Sequence, residues 1–235
     1  MTRHIGIVAC SAEGAALCYR TICSEAAALL GPHAHPEISL HSHSLADYMD
    51  PIQRGDWDTV GDIMLSSANK LHAAGADFLI CPDNTIHQAM LHVTPSSPLP
   101  WLHIAKVVAD EAARRGYRRI ALTGTKWLVE SGVYPEQLTE RHIEYSRPNA
   151  QERAEINRII MDELVYGADP QGAFRPESIA YLQQVITRLR DECTCDAVLL
   201  GCTEIPLILN DTNSPLPTLD STRLLARAAL KQAVS

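Results

Sequence analysis

Apolar and polar positions along the chain follow two periods. Short apolar runs at residues 5–9, 78–82, 119–123 and 197–200 have strand length, and each gives way to small or polar residues. Residues 37–43 alternate instead, which predicts a strand with Ile38 and Leu40 inward and Ser39 and His41 outward. Between the runs, the period lengthens to that of a helix. The clearest case spans 57–74, where Val60, Ile63, Met64, Ser67, Leu71 and Ala74 recur on one face and Gly75 closes the turn. Further helices are predicted over 15–30, 87–93, 102–116, 127–133, 150–167, 175–192 and 221–233, with a short strand and turn at 215–220. Residues 47–55 read as a polar turn.

Strands that alternate with helices predict an α/β fold with parallel sheets. The pattern restarts after Pro95, Pro98 and Pro100, so the chain reads as two similar parallel-sheet α/β domains. The boundaries place residues 1–98 and 211–235 in the N-terminal domain and 99–210 in the C-terminal one. The last helix then crosses back to pack on the first half.

The totals narrow the class of protein. With 46% hydrophobic and 20% charged residues, the 235-residue chain has the composition of an ordinary globule. A net charge of −8 offers no basic footprint, which argues against a nucleic-acid partner. No apolar run reaches membrane-spanning length. Met1-Thr2-Arg3-His4 leads straight into a strand without a signal peptide, so the seven cysteines read as reduced thiols of a cytoplasmic protein.

Candidate chemistry gathers at two strand ends. Gly201-Cys202-Thr203-Glu204-Ile205-Pro206 follows the last long apolar run, and Pro206 suits the first turn of a helix. A thiol, a hydroxyl and a carboxylate thus stand where open α/β sheets bind ligands. Asp83-Asn84-Thr85 follows the 78–82 run in the same way, with His87 just beyond. Cys202 as a packed inert thiol, and Asp83 as a helix cap, are the simpler readings. The internal symmetry between the two motifs favours acid/base roles for both. His87 reads more readily as a capping or supporting group than as a base, for which it is a lesser candidate. The loop at Ser11 lacks a GxGxxG spacing but offers N–H groups to a carboxylate at a helix start. Arg54, in a loop, suits a substrate carboxylate. His33, His35, His41, His43 and Cys193-Thr194-Cys195 lack zinc-ligand spacing, so no metal is expected and the histidines read as solvated loop residues.

Gly201-Cys202-Thr203-Glu204-Ile205-Pro206 and Asn84-Thr85-Ile86-His87 resemble the two signature motifs of the aspartate/glutamate racemase family. The likeness extends over Arg54-Gly55-Asp56-Trp57-Asp58, Gly124-Thr125, residues 155–160 and Leu219-Asp220. The resemblance implies two similar domains with the active site in the cleft between them, often in a homodimer, and no pyridoxal phosphate or other cofactor. It implies amino-acid racemisation by two opposed bases, commonly thiols. Cys202 matches one, and Asp83 occupies the place of the other. Ser11, Arg54, Asn84, Thr85, Thr125, Thr203 and Glu204 are then the substrate-binding set, and the partner is a small amino acid or carboxylic acid. A lysine that holds the distal carboxylate of aspartate in some members would fall near Glu155, whose charge would instead repel an acidic side chain. Ala9-Cys10-Ser11-Ala12 also departs from the usual Gly-Gly-Met-Ser. Two other functions stay open. One is a lyase, decarboxylase or cis–trans isomerase that uses Cys202 alone, and the other is a non-catalytic metabolite-binding homologue.

Overall fold

The computed structural model describes residues 2–168 and 172–235. The chain divides into two compact units, Met1–Val107 with Thr222–Ser235, and Val108–Ser221. In the first, β1 (Ile5–Ala9) leads to α1 (Ala12–Leu30), β2 (Ile38–Ser42), α2 (Leu45–Arg54), α3 (Trp57–Ala73) and β3 (Phe78–Ile80). A 3-10 turn over Thr85–Ala89, then α4 (Met90–Ser96), β4 (Trp101–Leu102) and the start of α5 (Ile104–Arg115) complete its forward run. The four strands are all parallel, in the order β2-β1-β3-β4, with Ile7 opposite both Leu40 and Ile80.

The second unit repeats this plan. Strand β5 (Arg119–Thr123) is followed by α6 (Lys126–Glu130), α7 (Val133–Thr139), β6 (Glu144–Ser146), α8 (Ala150–Asp162), α9 (Pro176–Cys193), β7 (Ala197–Leu200) and β8 (Thr218–Asp220). Its sheet order, β6-β5-β7-β8, is the first unit's order again, and all pairs are parallel. Strands β3 and β7, which precede the two polar motifs, are therefore topological equivalents. The last helix, α10 (Ser221–Val234), returns to the first sheet as expected: Leu225, Ala226, Ala229 and Leu230 pack with Ile5, Ile7, Phe78 and Ile80.

The proline-based boundaries leave Trp101–Leu102 in the second half and residues 211–220 in the first. Pairing does the opposite, because β4 adds to β3 and β8 adds to β7. Residues 47–55, expected as a turn, form α2. Ser44 caps it, Tyr48, Pro51 and Ile52 bury one face, and Gly55 ends it in the left-handed region at φ 70°. The helix expected over 127–133 is split into α6 and α7 around Ser131-Gly132, and that expected over 150–167 ends at Asp162. On the edge strand β2, Leu40 is 46% exposed. Its outward-assigned neighbour His41 instead turns towards α3, with Nδ1 3.0 Å from Ser67 Oγ, and His43 Nε2 lies 3.1 Å from Ser66 Oγ. These two histidines are held against a helix rather than solvated in a loop.

Candidate active site

The two sheets present matching ends. Beyond β1, Ser11 Oγ caps α1 by accepting the Gly14 N–H at 3.3 Å. Beyond β5, Thr125 Oγ1 caps α6 by accepting the Leu128 N–H at 3.3 Å. Both hydroxyls were expected to bind substrate; each also fixes the first turn of a helix. Helix α1 starts three residues earlier than its composition suggested, because Ser11 supplies that cap.

Two glycines let the loops after β5 and β7 meet. Gly201 N–H donates to Thr123 O at 3.0 Å, and a Cβ on Gly201 would lie 2.4 Å from that same oxygen. Gly124 adopts φ +151°, and its Cβ would meet Gly201 O at 3.0 Å. Any side chain at 201 would push the strand ends apart, so the position of Cys202 depends on that glycine. Thr123 Oγ1 adds a clasp to Leu199 O at 2.5 Å, and Ser221 Oγ donates to Leu200 O at 2.9 Å.

Cys202, Thr203 and Glu204 converge as the sequence suggested, through contacts that spacing alone does not reveal. The Cys202 S–H donates to Glu204 Oε2 at 2.8 Å, and the Thr203 hydroxyl donates to the same oxygen at 3.1 Å. Glu204 is only 3% exposed, and its other oxygen, Oε1, is buried with no hydrogen-bond partner among the described residues. A buried carboxylate oxygen without a hydrogen-bond donor is costly. Pro206 does sit in the first turn that follows, but that turn is a 3-10 helix of three residues, Ile205–Leu207. It is too short to place a helix-terminus field on Cys202. The thiol itself is 6% exposed, less open than Cys23 or Cys193. Alkylation order therefore cannot single it out by exposure.

At the end of β3, Asp83 is partly exposed. Its Oδ1 accepts the Ile86 N–H at 3.2 Å, and its carbonyl accepts the His87 Nδ1–H at 2.6 Å. The Ile104 N–H donates to His87 Nε2 at 3.3 Å. That pair fixes the imidazole as the Nδ1–H tautomer, tying the Asp83 turn to the start of α5. Burial, and next the neighbouring imidazole of His103, lower the proton affinity of His87 well below the ordinary range. His87 thus stays neutral and braces the Asp83 turn. Asn84 and Thr85 are buried beside it. Cys81, two residues before Asp83, is completely buried, and burial followed by the Asp83 charge pushes its thiol well above its usual range. It stays a neutral thiol.

Arg54 lies in the last turn of α2 rather than in a loop, 57% exposed, and it pairs with Asp50 and, at 3.7 Å, with Asp56. Glu155 forks Arg158, with Nη2 to Oε1 at 2.7 Å, and this hydrogen bond holds its carboxyl below the usual range. The charge of Glu155 is thereby compensated by Arg158. Among the described residues, no group of three metal-ligating side chains is arranged to hold an ion. No helix among them is long and apolar enough to cross a membrane.

The sequence matches the Asp/Glu/Hydantoin racemase family over residues 5–229. It is 24% identical to the broad specificity amino-acid racemase RacX of Bacillus subtilis (strain 168), over 83% of this chain and 81% of that protein. Among solved structures it is similar to one from Yersinia pestis assigned to the Asp/Glu racemases, with TM-score 0.86 and 31% identity. That match covers 99% of this chain and 100% of the other. It is also similar to an aspartate racemase homologue from Pyrococcus horikoshii OT3, with TM-score 0.84, 26% identity and full coverage of both chains.

Proposed function

The chain belongs to the Asp/Glu/hydantoin racemase family, and we propose that it racemises an amino acid by proton exchange at the α-carbon, with Cys202 and Asp83 as the two acid/base groups. The observation that carries this reading is the Cys202 S–H donating to the buried Glu204 carboxylate at 2.8 Å. An α-proton is weakly acidic, so a racemase without an electron-sink cofactor needs a strong base on each face of the carbon. A thiol becomes that base only after losing its proton, and we assign its removal to Glu204, whose carboxyl accepts the thiol hydrogen bond. The Thr203 hydroxyl holds the receiving oxygen in line at 3.1 Å. As the α-carbanion forms, the protonated partner on the other face returns a proton and the configuration inverts. Hydroxyl and amide donors at Ser11, Asn84, Thr85, Thr125 and Thr203, with Arg54, hold the carboxylate and the charge that develops on it.

The substrate class follows from the broad-specificity relative and from the compensated charge of Glu155. We assign this chain an amino acid whose side chain is not restricted to one charge. A second reading, in which Cys202 works alone on one face, is favoured by Asp83 serving as a turn cap at Ile86 N.

Deuterium incorporation tests the proposal. Incubation of either pure enantiomer in D2O should place deuterium on the α-carbon of the enantiomer that forms. Label confined to unconverted substrate, or a changed carbon skeleton, would support the one-sided reading; no label with any amino acid would mean a binding protein.

Glu204 gives a sharper check. Glu204→Gln keeps the size of the side chain but removes the charge that receives the thiol proton. Hydrogen bonds to charged groups contribute about 1.5–3 kcal/mol, so kcat/KM should fall on the order of 10- to 100-fold. Racemisation by Glu204→Gln at the unmodified rate would remove Glu204 from the mechanism.

A further inference from the structure

Away from the two motifs, four polar side chains meet where the edge strand β2 faces α3. His41 lies in β2 and His43 one residue past its end, and both imidazoles turn to the same side, as residues two apart on a strand do. Consecutive residues of α3 receive them. His41 Nδ1 lies 3.0 Å from Ser67 Oγ, and His43 Nε2 lies 3.1 Å from Ser66 Oγ. The two ring centres are 4.8 Å apart, edge to face.

Each ring therefore has one nitrogen left over. Nε2 of His41 and Nδ1 of His43 take no hydrogen bond among the described residues, and neither is a buried atom, so both open to solvent. With a serine oxygen accepting the N–H of each ring, the remaining nitrogen carries the lone pair. Histidines that ligate metals are held in this way, the second nitrogen donating to a fixed oxygen. An edge-to-face ring contact by itself requires neither serine. The spacing fits as well. With metal–nitrogen bonds of about 2.0–2.1 Å, two imidazoles on neighbouring positions of one ion hold their ring centres roughly 4.5–5.2 Å apart. Burial, then Lys70 and then His43, also hold His41 towards its neutral form, the form that ligates.

We propose that His41 and His43 form a two-histidine site for a divalent first-row transition ion of the zinc or nickel kind, with water in the remaining positions. Imidazole selects such ions over calcium and magnesium, which take oxygen ligands. The His-x-His spacing differs from that of a closed structural zinc site, and no third Cys, His, Asp or Glu joins the pair among the described residues. An ion held by two side chains exchanges with solution. The exposed Lys70 acts on His41 as a like charge, so it opposes the ion and limits the affinity.

Calorimetric titration of the full chain with nickel chloride, and separately with calcium chloride, is the test. The partly exposed thiols of Cys23 and Cys193 can add nickel sites of their own, so binding is read as the difference between the unmodified protein and its variants. One nickel site should vanish in His41→Ala and in His43→Ala. Replacing both serines by alanine should weaken that site about 10- to 100-fold, and Lys70→Gln should tighten it severalfold. Nickel should also raise the Tm of the unmodified protein more than that of His43→Ala. If circular dichroism shows that His41→Ala is unfolded, His43→Gln, past the end of the strand, gives the same reading. Retention of every nickel site by the folded histidine variants overturns the proposal. So does calcium binding of equal strength that is lost with the histidines. Inorganic phosphate that binds instead of nickel, and binds less well to Lys70→Gln, would make the corner an anion site and overturn it too.

Discussion

Cys202→Ser should lower racemisation by on the order of 10²- to 10⁴-fold, the range that one positioned acid/base group contributes, while leaving the second sheet folded. The serine hydroxyl can still donate to Glu204 Oε2, the partner of the thiol at 2.8 Å, so the corner keeps its hydrogen bond. Stability should therefore change by no more than about 1 kcal/mol, the net contribution of a typical hydrogen bond. What serine cannot do is give up its proton: an alkoxide is far less accessible at neutral pH than a thiolate. Loss of turnover with an unchanged Tm thus reports chemistry and not folding. The exchange of α-protons with D2O adds detail. If two bases face opposite sides of the carbon, Cys202→Ser stops exchange from one enantiomer and leaves exchange from the other. A serine variant that racemises at the unmodified rate would remove Cys202 from every catalytic reading.

The motif around Cys202 was legible because its ingredients are local. An apolar run ends, a glycine turns the chain, and three reactive side chains follow within three positions. The contact between Cys202 and Glu204 was not legible, since residues two apart meet only when the following turn is tight, as the 3-10 helix at Ile205 makes it. The long strands and helices were likewise visible in their periods. Elements of two or three residues such as β4 and β6 are too short to show a period, while β8 falls within the short strand expected at 215–220. Helix α2 was missed because Pro51 and its acidic neighbours imitate a turn. Yet the ring is buried and the helix is capped at both ends, by Ser44 and Gly55. That miss also hid the burial of Tyr48, which lies on the inner face of this helix. At β2 the in/out alternation failed because an edge strand has one less neighbour to cover Leu40, while serines of α3 satisfy His41 and His43.

In the proposed reaction Asp83 is the base that faces the Cys202 thiol, and its replacement carries the second large effect. An unperturbed carboxyl titrates near 3.9 and an unperturbed thiol near 8.5, a gap of roughly 6 kcal/mol at about 1.4 kcal/mol per unit. A carboxylate base facing a thiol base would therefore run the two directions of proton exchange at unequal rates, unless the surroundings close the gap. Two neighbours of Asp83 are neutral: Cys81 stays protonated and His87 stays uncharged, each through burial first. Against this, the Ile86 N–H at 3.2 Å favours the charged carboxylate. Asp83→Cys restores a matched pair. It should keep or raise racemisation and bring the forward and reverse rates closer together, with a loss of about 1 kcal/mol of stability from the weaker acceptor offered to Ile86. Asp83→Ala supplies no base and should lower racemisation by on the order of 10²-fold or more. The two variants are best compared by circular dichroism from each pure enantiomer. If Asp83→Ala racemises as fast as the unmodified protein, Asp83 is a turn cap and not a base, and Cys202 works alone.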